Sequence, residues 1–312
     1  MPQKNRIFIS ALRKSLRTTL WLLKIIIPIS LFVRLLDYSG LLAYFAEYLN
    51  PIFMHLGLPG SSAIVFITSI FLPLYAPAAI IISLPITLRE LTILALMCQI
   101  AHNLPVESAI QAKTGTPFWA MVILRIFMSI AVAVLLNKIL PQDMGMPLFT
   151  QTEANSIVSI SGLLTAWLIG SLKMGILIFV IIVSLNFLYL ILEKYKLINR
   201  ISQSIHPLLR FFGLPEDTAF LWLIGYIVGL AYGGAMMIDQ LSEGKVSRED
   251  IQLLNYHLAM SHSIIEDNFI FVALGVSFGW ILAVRLSIAF VVVWFRKFYL
   301  SLFCKKPRPT LS

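Results

Sequence analysis

Two polar groups interrupt apolar stretches of this chain and contain side chains that could do chemistry. The first lies in AHNLPVES, residues 101–108, and the second in MSHSIIEDN, residues 260–268. The candidates for binding a solute are His102, Asn103, Glu107, Ser108, His262, Ser263, Glu266, Asp267 and Asn268. An imidazole beside a carboxylate, flanked by amides and hydroxyls, can bind a polar solute, coordinate a cation or relay a proton. Ionisable side chains inside apolar segments are costly, so we expect a functional site.

The spacing within each group constrains how its side chains can meet. His102 precedes Glu107 by five residues, and His262 precedes Asp267 by the same interval. On a continuous helix this spacing places two side chains about 140° apart, so a shared site requires a break in the helix. The same residues could instead form polar networks that only hold neighbouring segments together. The sequence leaves both interpretations open.

Both polar groups belong to an internal duplication. NPIFMHLGLPGSSA at residues 50–63 recurs as HPLLRFFGLPEDTA at residues 206–219, an offset of 156. Further along, the offset is 160, and the matched pairs are His102 with His262, Glu107 with Asp267, Gly115 with Gly275 and Arg125 with Arg285. Duplicated hydrophobic chains are typical of transporters, whose sites lie where the repeats meet. We therefore look for the site among the shared residues.

The composition indicates a protein that lies in lipid. Hydrophobic residues make up 59% of the chain and charged residues 12%, with a mean hydropathy of +0.88, whereas soluble domains contain about 25% charged residues. The net charge of +9 lies in flanks and loops, as cytoplasmic Lys and Arg do. We therefore expect the lipid bilayer, and no nucleic acid, as a partner. Cys98 and Cys304 are expected to be free thiols.

Enzyme motifs are not found in the sequence. HExxH, a Walker loop, GxSxG and CxxC are all absent. We therefore expect no enzyme and no cofactor, while the sequence leaves a metal site unknown.

The distribution of Lys and Arg predicts the membrane topology. A basic N-terminal cluster precedes the first apolar segment, residues 19–38, whereas the basic cluster of the second half follows residues 173–192. Because cytoplasmic flanks are rich in Lys and Arg, the two segments are expected to cross in opposite directions. We expect a multi-pass protein of the bacterial inner membrane, with both termini in the cytoplasm.

The fold class that follows is an all-α integral membrane protein with two inverted-topology repeats. Each repeat is expected to contain about three spanning helices, a re-entrant helical hairpin and an interfacial helix, giving six full spans. The predicted domains are residues 1–138, the first repeat; 139–171, an external linker; 172–298, the second repeat; and 299–312, a basic cytoplasmic tail. A further short membrane segment at residues 156–171 is an alternative.

Particular segments are assigned to these elements. The apolar segments of the first repeat are residues 19–38, 61–84, 91–114 and 117–138. The third is predicted to be the hairpin because Pro105 and polar groups lie in its middle. Residues 41–56 and 197–212 are predicted to lie along the interface.

Three further matched sets are candidates. Ser61, Ser62, Glu216 and Asp217 follow the two Gly-Leu-Pro turns, where a helix start could bind an anionic or hydrogen-bonding solute. The residues expected to act in structure or gating are Gly57, Pro59, Gly213, Pro215, Arg125, Arg285, Tyr75 and Tyr232. For the two arginines we expect ion pairs with Glu107 and Asp267, within or across the repeats, that clamp each hairpin to its neighbouring helix. An ordinary helix entry remains the alternative for the Gly-Leu-Pro turns.

The repeated GLPGSSA and GLPEDTA segments, with polar segments after them, resemble the Gate or nucleoside recognition family. Concentrative nucleoside transporters, the membrane part of the bacterial ferrous iron permease and spore maturation membrane proteins share this domain. The resemblance covers residues 40–138 and 197–297 and implies a transporter or permease that moves a small polar solute, such as a nucleoside, organic anion or cation, by alternating access. A proton or Na⁺ is the expected coupling ion, and a homo-oligomer is considered. The alternatives are a scaffold or assembly protein that transports nothing, and a divalent cation permease.

Overall fold

The computed structural model describes residues 38–148, 160–195 and 197–303 without interruption, preceded by residues 12–13, 15–17, 19–20, 23–24, 27–28, 30–32 and 34–35. These residues form helices joined by turns, and no strand occurs among them. Parts of the basic clusters lie outside the described residues: Lys4, Arg6, Lys14, Lys196 and the tail from residue 304. Residues 149–159 of the predicted linker also lie outside them.

The first half contains helices that follow its apolar runs: α1 (Leu41–His55), α2 (Ser62–Phe71), α3 (Tyr75–Ile81), α4 (Leu88–Ala101), α5 (Leu104–Lys113) and α6 (Phe118–Ile139). The second half contains α7 (Ile160–Lys194), α8 (Leu197–Ser204), α9 (His206–Phe211), a 3₁₀ turn (Glu216–Thr218), α10 (Ala219–Ile227), α11 (Leu230–Ser242), α12 (Arg248–Ser261), α13 (Glu266–Val272) and α14 (Phe278–Phe303). The all-α prediction is confirmed.

Four segments of the described chain are long and apolar enough to cross a membrane: Leu88–Lys113, Phe118–Ile139, Ile160–Ser184 and Phe278–Leu302. One of them begins inside the predicted linker, since α7 is a single helix that begins at Ile160. No proline interrupts its sequence between residues 160 and 194, so nothing stops the helix at residue 172. Residues 160–171, which are predicted as linker, are therefore part of α7.

The segment predicted as a hairpin is instead an interrupted helix that runs alongside α6. Near its start, Arg89 Nη2 donates to Asn137 O at 2.6 Å, close to the end of α6. At its middle, Arg125 donates to backbone carbonyls of the break, and at its far end a short turn joins α5 to α6. The segment formed by α4 and α5 thus lies along α6 and runs antiparallel to it. The hairpin prediction for residues 91–114 is wrong because Pro105 lies in the first turn of α5, where proline is tolerated, and bends the segment without reversing it.

The two interrupted helices cross at their breaks and run in opposite directions. Beyond the break of the first repeat, Gly115 O accepts from Gln252 Nε2 at 2.8 Å, and Gln252 lies near the start of α12. At the opposite end, a Cβ added to Gly275, just after α13, would lie 3.7 Å from Leu88, the first residue of α4. Each helix start therefore lies beside the other segment's end. The polar residues at the two breaks meet in the middle.

The second hairpin is predicted around MSHSIIEDN, residues 260–268, but the chain reverses earlier, between α10 and α11. A Cβ added at Gly233 of α11 would lie 3.4 Å from Gly225 Cα of α10. In a straight helix these positions would be about 12 Å apart, so α10 and α11 fold back on each other. The reversal occurs at Gly229, whose φ of +96° suits a residue without Cβ. The equivalent run of the first repeat, predicted as one span at residues 61–84, is likewise divided into α2 and α3 around Pro73.

Helix α4 occupies the centre of the molecule. Twelve of its fourteen residues are buried, including polar Thr92 and Gln99. A helix that is buried around its whole circumference has to be apolar on nearly every face, as this sequence is. The end of α4 therefore delivers His102 to the interior, away from both lipid and water.

Candidate functional site at the two helix breaks

The backbone at the two breaks has the same conformation in both repeats. Asn103 and Ser263 are the non-glycine residues with positive φ in the described chain, at 46° and 48°. The Asn103 N–H donates to Ser69 O at 2.8 Å, and the Ser263 N–H donates to Gly225 O at 2.9 Å. Asparagine tolerates the left-handed region better than most residues. The duplication seen in the sequence thus extends to the hydrogen bonds of the breaks.

The matched arginines cap the carbonyl ends of α4 and α12. Arg125 donates from Nε to Ile100 O at 2.7 Å and from Nη2 to His102 O at 2.9 Å. Arg285 donates to the equivalent carbonyls, Met260 O at 3.2 Å and His262 O at 2.5 Å. Carbonyls at a helix end have no partner within the helix, and a positive charge there complements the helix dipole. Each guanidinium thus satisfies a break that water does not reach.

The matched acids lie at the starts of the following helices. Arg125 Nη1 lies 2.6 Å from Glu107 Oε2, and Arg285 Nη2 lies 3.3 Å from Asp267 Oδ2. Glu107 belongs to the first turn of α5, and Asp267 to the first turn of α13, where a negative charge complements the helix dipole. Each break therefore contains an arginine and an acid from its own repeat.

The two histidines bring the repeats together at Glu107. His102 Nε2 lies 3.2 Å from Glu107 Oε1, and His262 Nε2 lies 3.1 Å from Glu107 Oε2. The His102 and His262 ring centroids are 5.1 Å apart, and His102 Nε2 is 3.9 Å from Asp267 Oδ2. The break between α4 and α5 removes the 140° separation that a continuous helix would impose. These imidazole, guanidinium and carboxyl side chains are all buried, with exposed fractions of 0–9%.

Four further side chains extend the cluster across the repeats. Tyr75 OH donates to Glu266 Oε1 at 2.7 Å. Gln99 Nε2 donates to Asp267 O at 2.9 Å and to Asn268 Oδ1 at 3.2 Å. Asn268 Oδ1 also accepts from Arg285 Nη1 at 2.9 Å. The sequence analysis did not include Gln99, although an amide three residues before His102 in an apolar run was a signal for it.

The remaining residues of the two polar groups, Asn103, Ser108 and Ser263, lie at the breaks but do not form ion pairs. Asn103 and Ser263 contribute their backbone to the breaks, as described above. Ser108 is fully buried, and its Oγ has no hydrogen-bond partner among the described residues. Ser108 occupies the position of Asn268 in the other repeat.

The Gly-Leu-Pro turns lie away from this cluster. Gly57 and Gly213 each have a φ of +74° and end α1 and α9. Gly57 packs on Asn137, and Gly213 packs on Lys297 and Trp294, near the ends of α6 and α14. Asn137 and Lys297 each follow a site arginine by twelve residues, which is about 18 Å along a helix. Pro59 and Pro215 follow the two glycines in the same turns.

The solute-binding candidates near these turns are not brought to the cluster. Ser61 and Ser62 begin α2 at the end away from Ser69, and neither the Ser61 nor the Thr218 side chain caps its helix. Glu216 contacts Arg210 and lies 3.0 Å from His206 Nδ1 at the surface, beside Asp217. Tyr232 is 47% exposed, unlike Tyr75.

A second buried polar network ties the repeats together beside the first. Asn255 of α12 donates to Thr114 Oγ1 at 2.7 Å and to Thr116 Oγ1 at 2.8 Å. Asn255 O accepts from Gln111 Nε2 at 2.9 Å. This network contains no charged group, so its role is to fix the contact between α5 and α12.

Comparison with known proteins identifies the domain. A family model described as Gate, nucleoside recognition, matches residues 19–140, which are the first repeat. Residues 19–140 thus match the Gate family, and a membrane protein is similar to the chain over most of its length. It is 28% identical over 291 residues to the "Uncharacterized membrane protein YvoD" of Bacillus subtilis (strain 168), covering 91% of this chain and 92% of that protein. No solved structure matches the chain significantly.

The Gate domain matched by the family model contains half of the cluster. Residues 19–140 include His102, Glu107 and Arg125. The other half comes from positions that the internal duplication relates to them, namely His262, Asp267 and Arg285. The site is therefore shared between the Gate domain and its second copy.

Proposed function

We propose that this Gate-domain protein is a transporter or permease for a small polar solute, which binds at the crossing of the two interrupted helices. The observation that supports this proposal most is the burial of two histidines, two arginines and two acids from both repeats at one point. Discontinuous helices whose polar ends meet between repeats are typical of transporter sites. Arg125 and Arg285 position the breaks, while His102, His262, Glu107 and Glu266 are the groups proposed to face the solute.

The proposed topology is that of inverted repeats. Because the interrupted helices run in opposite directions, an alternating-access movement of one repeat against the other would expose their crossing first to one side and then to the other. We infer that residues 146 and 195, at either side of α7, lie on opposite sides of the bacterial inner membrane, with both termini cytoplasmic. Met146→Cys and Tyr195→Cys, in a background without Cys98 and Cys304, test this by reaction with an impermeant maleimide. Labelling of both from one side would contradict it.

The experiment that tests transport uses purified protein in liposomes. A thermal-shift screen against nucleosides, divalent cations and organic anions first selects the solute, since binding to the native state raises the melting temperature. Uptake of that solute by wild type is then compared with Glu107→Gln and Asp267→Asn, which we expect to reduce it to background. Glu243→Gln and Asp239→Asn are the matched controls, because Glu243 pairs with Lys245 at the surface and Asp239 lies on α11. Both controls should retain uptake.

The outcomes separate the proposal from its alternative. Uptake that is unchanged in both site variants would show that these carboxyls do not belong to the solute site. Wild-type liposomes that move no solute with any gradient of protons or Na⁺ would instead favour a scaffold, in which the cluster only holds the fold.

A further inference from the structure

We propose that His102, Glu107 and His262 form a binding site for one divalent transition-metal ion, between the two repeats. The inference rests on the proposed function in that it uses the same crossing point, and it narrows the ligand from a polar solute to a metal cation. The ligand atoms are His102 Nε2, His262 Nε2 and a carboxylate oxygen of Glu107. These three atoms lie within 4.8 Å of one another.

The orientation of both imidazoles supports a metal site. His102 Nδ1 is 3.0 Å from Gln99 O, and His262 Nδ1 is 2.7 Å from Leu258 O. A carbonyl oxygen only accepts, so each Nδ1 carries a proton and donates it. A neutral ring that donates from Nδ1 has a lone pair on Nε2. Histidines that bind metals usually donate their other ring nitrogen to a carbonyl or carboxylate in this way.

The Nε2 lone pairs face an acceptor that cannot pair with them. Glu107 lies 3.2 Å from His102 Nε2 and 3.1 Å from His262 Nε2, and neither a lone pair nor a carboxylate oxygen can donate. His262 Nε2 is buried without a hydrogen bond in the part of the chain that the structure describes, while Glu107 Oε2 also lies 2.6 Å from Arg125 Nη1. A proton on each Nε2, or one metal ion between these atoms, removes the repulsion. We assign that place to a metal ion.

The distances fit an ion of the size and preferences of Zn²⁺ or Co²⁺. Ligands about 2.0–2.1 Å from a tetrahedral ion are about 3.3 Å apart. His102 Nε2 is at a similar distance from Glu107 Oε1, and His262 Nε2 from Glu107 Oε2, so the ion would lie beside both carboxylate oxygens. Imidazole and carboxylate ligands suit Zn²⁺, Fe²⁺, Co²⁺ and Ni²⁺. Asp267 Oδ2, which is 3.9 Å from His102 Nε2, is the nearest further ligand.

The charges around the site leave room for a cation. Glu107 and Asp267 balance the charges of Arg125 and Arg285, and the Glu266 carboxyl accepts from Tyr75 beside them. Arg125 contacts Glu107 through Oε2, which leaves Oε1 free of the guanidinium. The arginine therefore orients the carboxylate, as outer-shell groups do at metal sites.

The test is Co²⁺ binding by the full-length protein in detergent, with any purification tag removed. We expect one ion per chain and the visible absorption of tetrahedral Co²⁺ with nitrogen and oxygen ligands. His102→Gln, His262→Gln and Glu107→Gln should each weaken binding about 100-fold, since they remove a ligand atom with little change in volume. His257→Gln is the matched control because His257 is also a buried histidine of α12, but it bonds to Tyr226 and not to the cluster. It should bind Co²⁺ like wild type.

The proposal is overturned if wild type binds no Co²⁺, or if binding survives both His102→Gln and His262→Gln. Circular dichroism and monodisperse elution show which variants fold, and Glu107→Gln replaces any histidine variant that does not. The result is independent of transport. Co²⁺ binding without uptake of any solute would contradict only the proposed function, whereas nucleoside uptake without Co²⁺ binding would contradict only the metal site.

Discussion

The first and second repeats build the same helix break from the same arginine but use different acids. Arg125 and Arg285 cap equivalent carbonyls with equivalent atoms. Glu107, the longer acid, contacts its own arginine and also the histidines of both repeats. Asp267, the shorter acid, makes a longer ion pair with Arg285, and Asn268 shares that guanidinium. The two acids differ by one methylene group. The longer acid, Glu107, contacts both repeats, whereas the shorter acid, Asp267, mainly contacts the arginine of its own repeat.

The largest expected effect comes from removing the arginines. Arg125→Met leaves two carbonyls and the Glu107 carboxylate buried without their donor, and we expect it to lower the free energy of unfolding by about 3–5 kcal/mol. Arg285→Met should do the same for its own break. The measurement is thermal unfolding of the protein in detergent. If the two breaks differ as their distances suggest, Glu107→Gln should recover more stability in Arg125→Met than Asp267→Asn recovers in Arg285→Met.

Exchanging the two acids tests the comparison directly. Glu107→Asp shortens the side chain that reaches both histidines, so we expect uptake of the transported solute to fall about tenfold or more. Asp267→Glu lengthens an acid that already contacts its own arginine, and we expect a smaller loss. Initial uptake rates in liposomes provide the measurement, with protein incorporation matched. Equal losses would show that the two acids have equivalent roles.

Gln99 belongs to one repeat only, since Ala259 occupies its position in the other. Gln99→Ala removes the donor to Asp267 O and Asn268 Oδ1, and we expect a loss of about 1–2 kcal/mol in the free energy of unfolding. Gln240→Ala, the same change on α11 outside the cluster, serves as the control. A melting temperature of Gln99→Ala that matches this control would exclude the amide from holding the repeats together.

The smallest effect is expected at the surface, where Glu216 replaces Gly60 of the first repeat. The hydrogen bond from Arg210, together with the charges of Arg210 and His206, lowers the pKa of the Glu216 carboxyl. A lowered pKa stabilises the folded state above the ordinary carboxyl pKa of about 4.3, and the stabilisation is lost as the pH falls through the lowered pKa. Glu216→Gln should therefore melt slightly below wild type at pH 7 and together with it in strong acid. A difference that persists in acid would point to another cause.

Much of this architecture can be predicted from the sequence because the internal duplication is visible in matched residues. The constant offsets matched His102 with His262 and Arg125 with Arg285, and the structure gives both pairs equivalent surroundings. The cost of burying an arginine without an acid predicted its pairing with Glu107 and Asp267. These inferences depend on residue type and position alone, which one chain supplies.

The parts that could not be predicted depend on the direction of the chain after a break. The segment AHNLPVES predicts an interrupted helix. Whether the helix then reverses or continues depends on its packing against α6, and a local sequence pattern does not contain that information. Likewise, the Gly-Leu-Pro turns recur in both halves, yet Gly57 and Gly213 end helices far from the cluster. The repeated Gly-Leu-Pro sequence identified equivalent positions in the two repeats. The distances in the structure were needed to see which of the repeated residues lie at the cluster.

The arginine caps have a consequence for how the protein could open. Among the described residues, each guanidinium bonds to carbonyls and carboxamide or carboxyl groups of its own half. The contacts His262–Glu107, Tyr75–Glu266 and Gln99–Asn268 join one half to the other. A rigid displacement of the halves would break those bonds, and also the bonds from Asn255 to Thr114 and Thr116, but would leave both caps intact. The weakest surface through the interior is thus the seam between two pre-assembled bodies, and a path across the membrane could form there without unravelling either helix.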